Sequence, residues 1–95
     1  MKLDVRLYKR VFEQQGFSNE EGSVLLLRYQ LLKTIKQIII RKNWTQKEAA
    51  KVLGVKQPRI SEIFSEQIGD FSCEILIKYL FRLDKEVTIQ VKRKG

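Results

Sequence analysis

Hydrophobic positions repeat with a helical period through the middle of this chain and with a strand period near its two ends. Val24, Leu27, Leu31, Leu32, Ile35, Ile38 and Ile39 recur at three- and four-residue steps, which predicts an amphipathic helix over residues 18–42. Ser18 can accept from the orphan N–H groups of its first turn, and Glu21 stands at the capping-box position. Arg41 and Lys42 in the last turn complement the negative helix end. Leu25, Leu26 and Ile40 widen the apolar stripe. They are read either as a broad core face or as a second contact surface for another chain.

Three shorter helices are expected next. Thr45 caps the first, over residues 46–53, and Gly54 ends it, because glycine takes a left-handed conformation at little cost. The second covers residues 57–66, with Pro58 tolerated in the first turn. A turn at 68–71 leads to Ser72, which caps a helix over residues 73–83 with Ile75, Leu76, Tyr79, Leu80 and Leu83 facing inward. At the N-terminal end Leu3, Val5 and Leu7 alternate with polar neighbours, and the first 17 residues are read as an extended or partly ordered arm. At the other end Val87, Ile89 and Val91 alternate with Thr88, Gln90 and Lys92, a strand pattern. One strand cannot satisfy its own backbone groups. It must pair with the N-terminal segment, with the same strand of a second chain, or with another protein; two-fold pairing into a homodimer is the favoured reading. The organisation expected is an arm (1–17), a helical domain (18–84), and a strand with a basic tail (85–95).

The 95-residue length allows one domain. Lys and Arg total 19 against 11 Asp and Glu, a net charge of +8, which points to a polyanionic partner. Hydrophobic residues make up 43%, too many for a disordered basic tail. The single Cys excludes an intramolecular disulfide framework, and with no His structural zinc is not expected. The absence of His also removes the commonest general base and the Ser–His and Cys–His nucleophile pairs, so neither an enzyme nor a cofactor is expected. Cys73 is read as a small filler, and Asp70, Glu74 and Asp84 as turn and cap residues. No signal-peptide core is visible, and Arg28, Gln30, Lys33, Lys36 and Gln37 interrupt the longest apolar stretch. No membrane contact and a cytoplasmic location are expected.

The segment QKEAAKVLGVKQPRISEIFS, residues 46–65, has the layout of a DNA-binding helix-turn-helix. Two steeply crossing helices need a small residue at their close approach, here Ala50. They need a residue free to take positive φ in the turn, here Gly54. Leu53 and Val55 fill the inside of the corner, and Ile60 and Ile63 anchor the second helix on the core. Gln57, Pro58, Arg59, Ser61 and Glu62 then occupy the outward face as candidate base-contacting residues. Gln pairs bidentately with adenine and Arg with guanine. Arg59 could instead meet a phosphate, and Glu62 could accept from cytosine or simply pair with Arg59 one turn away. Arg41, Lys42, Thr45, Gln46, Lys47 and Lys56 are candidate phosphate contacts.

The stretch TQKEAAKVLGVKQPRISEIFS resembles the Cro/C1-type (XRE) helix-turn-helix family in its Thr-Gln, paired small residues, Leu-Gly-Val and Gln-Pro-Arg-Ile-Ser. The resemblance implies a mainly α, lambda-repressor-like bundle of four or five helices with a C-terminal β-strand. It also implies operator reading by Gln46, Gln57, Pro58, Arg59 and Ser61. The element from Val11-Phe12 to Gly16-Phe17, the long helix, the DFSCEILIKYLFRL helix and the closing strand look like the HigA-type antitoxin branch. That branch implies an autorepressor of double-stranded operator DNA that also neutralises a HigB-like mRNA-cleaving toxin. An orphan regulator of the same build and a protein-interaction module are the alternatives. Two departures stand out. Lys56 replaces the usual Ser cap, a loss of about 1 kcal/mol, and Glu66-Gln67 stands where many relatives close the helix with Gly.

Overall fold

Local capping chemistry sets most of the element boundaries. The computed structural model describes residues 19–91 and Arg93. The expected Ser18 cap, the arm and the rest of the basic tail lie outside these residues. The helices are α1 (Asn19–Arg41), α2 (Gln46–Leu53), α3 (Gln57–Phe64) and α4 (Cys73–Arg82), with a 3-10 turn at Ile68–Asp70. Helix α1 ends one residue earlier than expected, and Asn43 takes φ 56° behind it. Thr45 Oγ1 accepts from the Glu48 N–H at 3.1 Å and opens α2. Gly54 closes it at φ 68°. Ser72 Oγ accepts from the Ile75 N–H at 3.1 Å and opens α4.

Helix α3 stops at Phe64, two residues short of the expected end. Glu66 itself adopts the left-handed conformation, at φ 57°, that favours glycine. Its carboxylate lies 3.4 Å from Lys36 Nζ and accepts from the Tyr29 hydroxyl at 3.4 Å, both on α1. Lys36 Nζ also donates to the Phe64 carbonyl at 2.9 Å, which satisfies an orphan acceptor of α3. Long-range contacts from α1 therefore offset a local backbone cost at Glu66.

The core is one apolar cluster. Leu32, Ile35 and Ile39 of α1, Ala49 and Leu53 of α2, Ile60 and Ile63 of α3 and Leu76 of α4 are fully buried, with Phe71 at 1% exposure. Leu31, Tyr79, Leu80 and Leu83 complete it as the inward stripes predicted, together with Ala50 at the close approach, while Ile75 is only partly buried against it. Trp44 and Val55 pack against its edge. The expected stripe on α1 is misplaced at its N-terminal end, however. Val24 and Leu27 stay exposed, and Leu26 is buried instead. Gly22, one turn earlier, is buried as well, so the covered face of these first turns runs through Gly22 and Leu26 rather than through Val24 and Leu27.

The expected C-terminal strand does not form. No β-strand occurs among the described residues. A strand needs an unpaired edge to hydrogen-bond, and none of the described elements offers one. Val87 packs against the core, whereas Ile89 and Val91 are exposed. The 85–90 segment instead lines a groove with Leu27, Thr34 and Ile38 of α1. Among the described residues, no helix is long and apolar enough to cross a membrane.

Candidate nucleic-acid interface

Helices α2 and α3 are joined by a turn built on Gly54. The Val55 N–H donates to the Ala50 carbonyl at 2.9 Å, which ties the turn back onto α2. An Arg82 guanidinium from α4 donates to the Leu53 carbonyl, filling the acceptor left open at the C-terminus of α2. Ile60 and Ile63 anchor α3 inward, so Gln57, Pro58 and Ser61 must face outward, and all three are exposed.

Gln46, at the first position of α2, is brought to the same face. The Ser61 hydroxyl donates to Gln46 Oε1 at 3.1 Å. This bond fixes the Gln46 amide and leaves its two N–H donors pointing away from Ser61. Lys56 precedes α3 and makes no side-chain cap bond; in the first turn Pro58 carries no N–H and the Arg59 N–H donates to the Lys56 carbonyl at 2.9 Å. Lys56, Lys47, Thr45, Arg41 and Lys42 are all exposed, the position a phosphate-contacting residue needs. Thr45 also caps α2, and Glu48 lies within hydrogen-bond distance of its hydroxyl.

Arg59 and Glu62 are placed differently. Both are half-buried, and they form an ion pair at 2.9 Å. Arg59 Nε donates to the Tyr79 hydroxyl at 3.3 Å, and its guanidinium carbon lies 4.0 Å from the centre of the Phe71 ring. The Tyr79 hydrogen bond raises the Arg59 pKa, outweighing desolvation with further help from Glu62. An arginine guanidinium is charged at every physiological pH. Of the two readings of Glu62, this geometry realises the pair with Arg59. The sequence reading missed Tyr79, Phe71, Arg82 and Lys36, the residues that hold α2 and α3 in place. Tyr79 carried a usable signal, since a phenol on an otherwise aliphatic inward stripe must find a hydrogen-bond partner.

A family model described as a helix-turn-helix domain matches residues 11–92. Among solved structures, one described as an XRE-family transcriptional regulator superposes with a TM-score of 0.70 at 30% identity. The match covers 75% of this chain and 80% of that one. No curated protein matches the sequence. Two helices crossing at a glycine turn, with an exposed polar face on the second, define a DNA-binding transcriptional regulator. The chain belongs to the XRE-type helix-turn-helix family.

Proposed function

We propose that the chain is a sequence-specific repressor in which α3 enters the major groove of duplex DNA. The observation that carries this reading is the outward face of Gln57, Pro58 and Ser61 with Gln46 braced beside it at 3.1 Å. Gln57 reads a base edge, and Gln46 and Ser61 meet the backbone or an adjacent base. Lys47, Lys56, Arg41, Lys42 and Thr45 contact phosphates and set the register. Two copies would place their recognition helices one DNA turn apart, about 34 Å, on a near-palindromic site. The exposed Ile89 and Val91 support use of the 85–91 segment in the contact between copies. The test is fluorescence anisotropy on a duplex enriched from a randomised pool and on its scrambled counterpart, at several salt concentrations. A steep salt dependence on both duplexes with a clear preference for the first supports the reading. Salt-insensitive binding to a protein, with no duplex binding, would favour an interaction module.

The resemblance to HigA-type antitoxins supports a second layer, in which the same chain neutralises a HigB-like mRNA-cleaving toxin. The neighbouring reading frame tests it. A short basic ribonuclease-like gene, toxic alone and harmless when co-expressed with this chain, supports the antitoxin role. Its absence leaves an orphan regulator.

A further inference from the structure

We infer that Arg59, although it lies on the recognition helix, is a positioning residue that sets the seat of α3 on α4 rather than a reader of bases. The inference rests on the DNA-binding reading above. Three groups hold the Arg59 guanidinium. Glu62 lies one turn along α3, with Oε2 2.9 Å from Nη1. Phe71 lies at the entry to α4, with its ring centre 4.0 Å from the guanidinium carbon. Tyr79 lies within α4, with its hydroxyl 3.3 Å from Nε. Phe71 and Tyr79 meet edge to face at 6.4 Å and are 1% and 2% exposed, so the two rings form a fixed wall.

A bidentate guanine contact takes two N–H donors from one edge of the guanidinium. The Nε edge is spent on Tyr79, Nη1 is engaged by Glu62, and one flat face is covered by Phe71. Presenting the Nε edge to a guanine would strip the Tyr79 contact and leave its buried hydroxyl without its partner, a costly state, and presenting the Nη1–Nη2 end would compete with Glu62 for Nη1. The arrangement also occupies the Glu62 carboxylate, so its negative charge is neutralised locally instead of facing phosphate. Tyr79 is too deeply buried to touch DNA. Any effect of its hydroxyl on DNA reading must therefore pass through Arg59, which makes the inference testable.

The experiment uses the full chain, a duplex enriched from a randomised pool, and single-base-pair variants of that duplex. Affinities are compared for wild type, Tyr79→Phe, Arg59→Ala, Arg59→Lys and the Arg59→Ala/Tyr79→Phe double variant, with thermal melting to confirm folding. Tyr79→Phe should weaken binding roughly 2- to 10-fold, the worth of one hydrogen bond. Arg59→Ala should weaken it at least as much, with the loss spread evenly over all duplex variants. The double variant should be no worse than Arg59→Ala alone. Arg59→Lys should fail to rescue, because an ammonium supplies neither the planar stack nor the fork. Relaxed preference at a single base pair in Arg59→Ala, with Tyr79→Phe binding like wild type, would overturn the inference; so would full rescue by lysine. A second readout needs no DNA. The Arg59 Nε–H proton should exchange slowly with water in wild type and rapidly in Tyr79→Phe, and rapid exchange in wild type also overturns the inference. If wild type enriches no duplex, the DNA-binding reading itself fails, while the exchange experiment still reports on the Arg59 contacts.

Discussion

Replacing Gly54 by alanine tests the corner on which the helix-turn-helix depends. Gly54 sits at φ 68°, in the left-handed region, and its N–H caps α2 through the Ala50 and Lys51 carbonyls. A Cβ built there would meet Arg82 Nη1 at 3.8 Å, an ordinary van der Waals distance. Crowding therefore contributes little, and the cost is backbone strain of about 1–2 kcal/mol. The lower entropy of the unfolded alanine chain returns about 0.4–1 kcal/mol. A net destabilisation near 1 kcal/mol remains, which for a domain of this size lowers Tm by about 4–8 °C. Gly69 is the internal control. It does not adopt a left-handed φ, and a Cβ there would meet nothing within 4 Å. Gly69→Ala should therefore melt with wild type or slightly above it. Thermal unfolding followed by circular dichroism decides the matter. Equal melting temperatures for Gly54→Ala and Gly69→Ala would refute the argument that the left-handed turn sets the corner.

Other substitutions separate reading from attraction and local strain from long-range contact. Gln57→Ala should lose about 1–3 kcal/mol of discrimination between enriched and scrambled duplexes in anisotropy titrations; equal losses on both would remove its base-reading role. Lys47→Ala should weaken all duplexes alike and reduce the salt slope by about 0.9, whereas an unchanged slope would make it a solvated charge. Glu66→Ala keeps the left-handed backbone and loses the contacts to Lys36 and Tyr29, while Glu66→Gly loses the same contacts but relieves the strain. The glycine variant should be more stable than the alanine variant by about 0.5–1 kcal/mol. The reverse order in urea unfolding would mean that Glu66 carries no backbone cost.

The parts of this fold that were legible in the chain are those governed by short-range chemistry. Thr45, Gly54 and Ser72 act within four residues of themselves, and all three perform the capping or turn role their types predict. The buried face of α3 follows from Ile60 and Ile63 alone. What was not legible depends on distant partners. Glu66 closes α3 because Tyr29 and Lys36, 37 and 30 residues earlier, hold its carboxylate. Arg59 turns toward Tyr79, 20 residues on, so its type and place on the recognition helix did not reveal its orientation. The alternation at Val87, Ile89 and Val91 satisfies the side-chain pattern of a strand, but a ladder requires a second strand, which the described residues do not contain. The misplaced apolar stripe on α1 has the same origin, since with Leu25, Leu26 and Leu27 in succession periodicity alone does not fix which face the rest of the chain covers.

The central claim is that the exposed face of α3 is what meets DNA. Titration of the isotopically labelled chain with the enriched duplex, followed by NMR, tests it most directly. The account predicts that the side-chain amides of Gln57 and Gln46 and the backbone signals of Lys56 and Ser61 shift first and furthest. Shifts concentrated instead on Leu27, Thr34, Ile38 and the 85–90 segment would contradict it, because the contact would then lie on the groove beside α1.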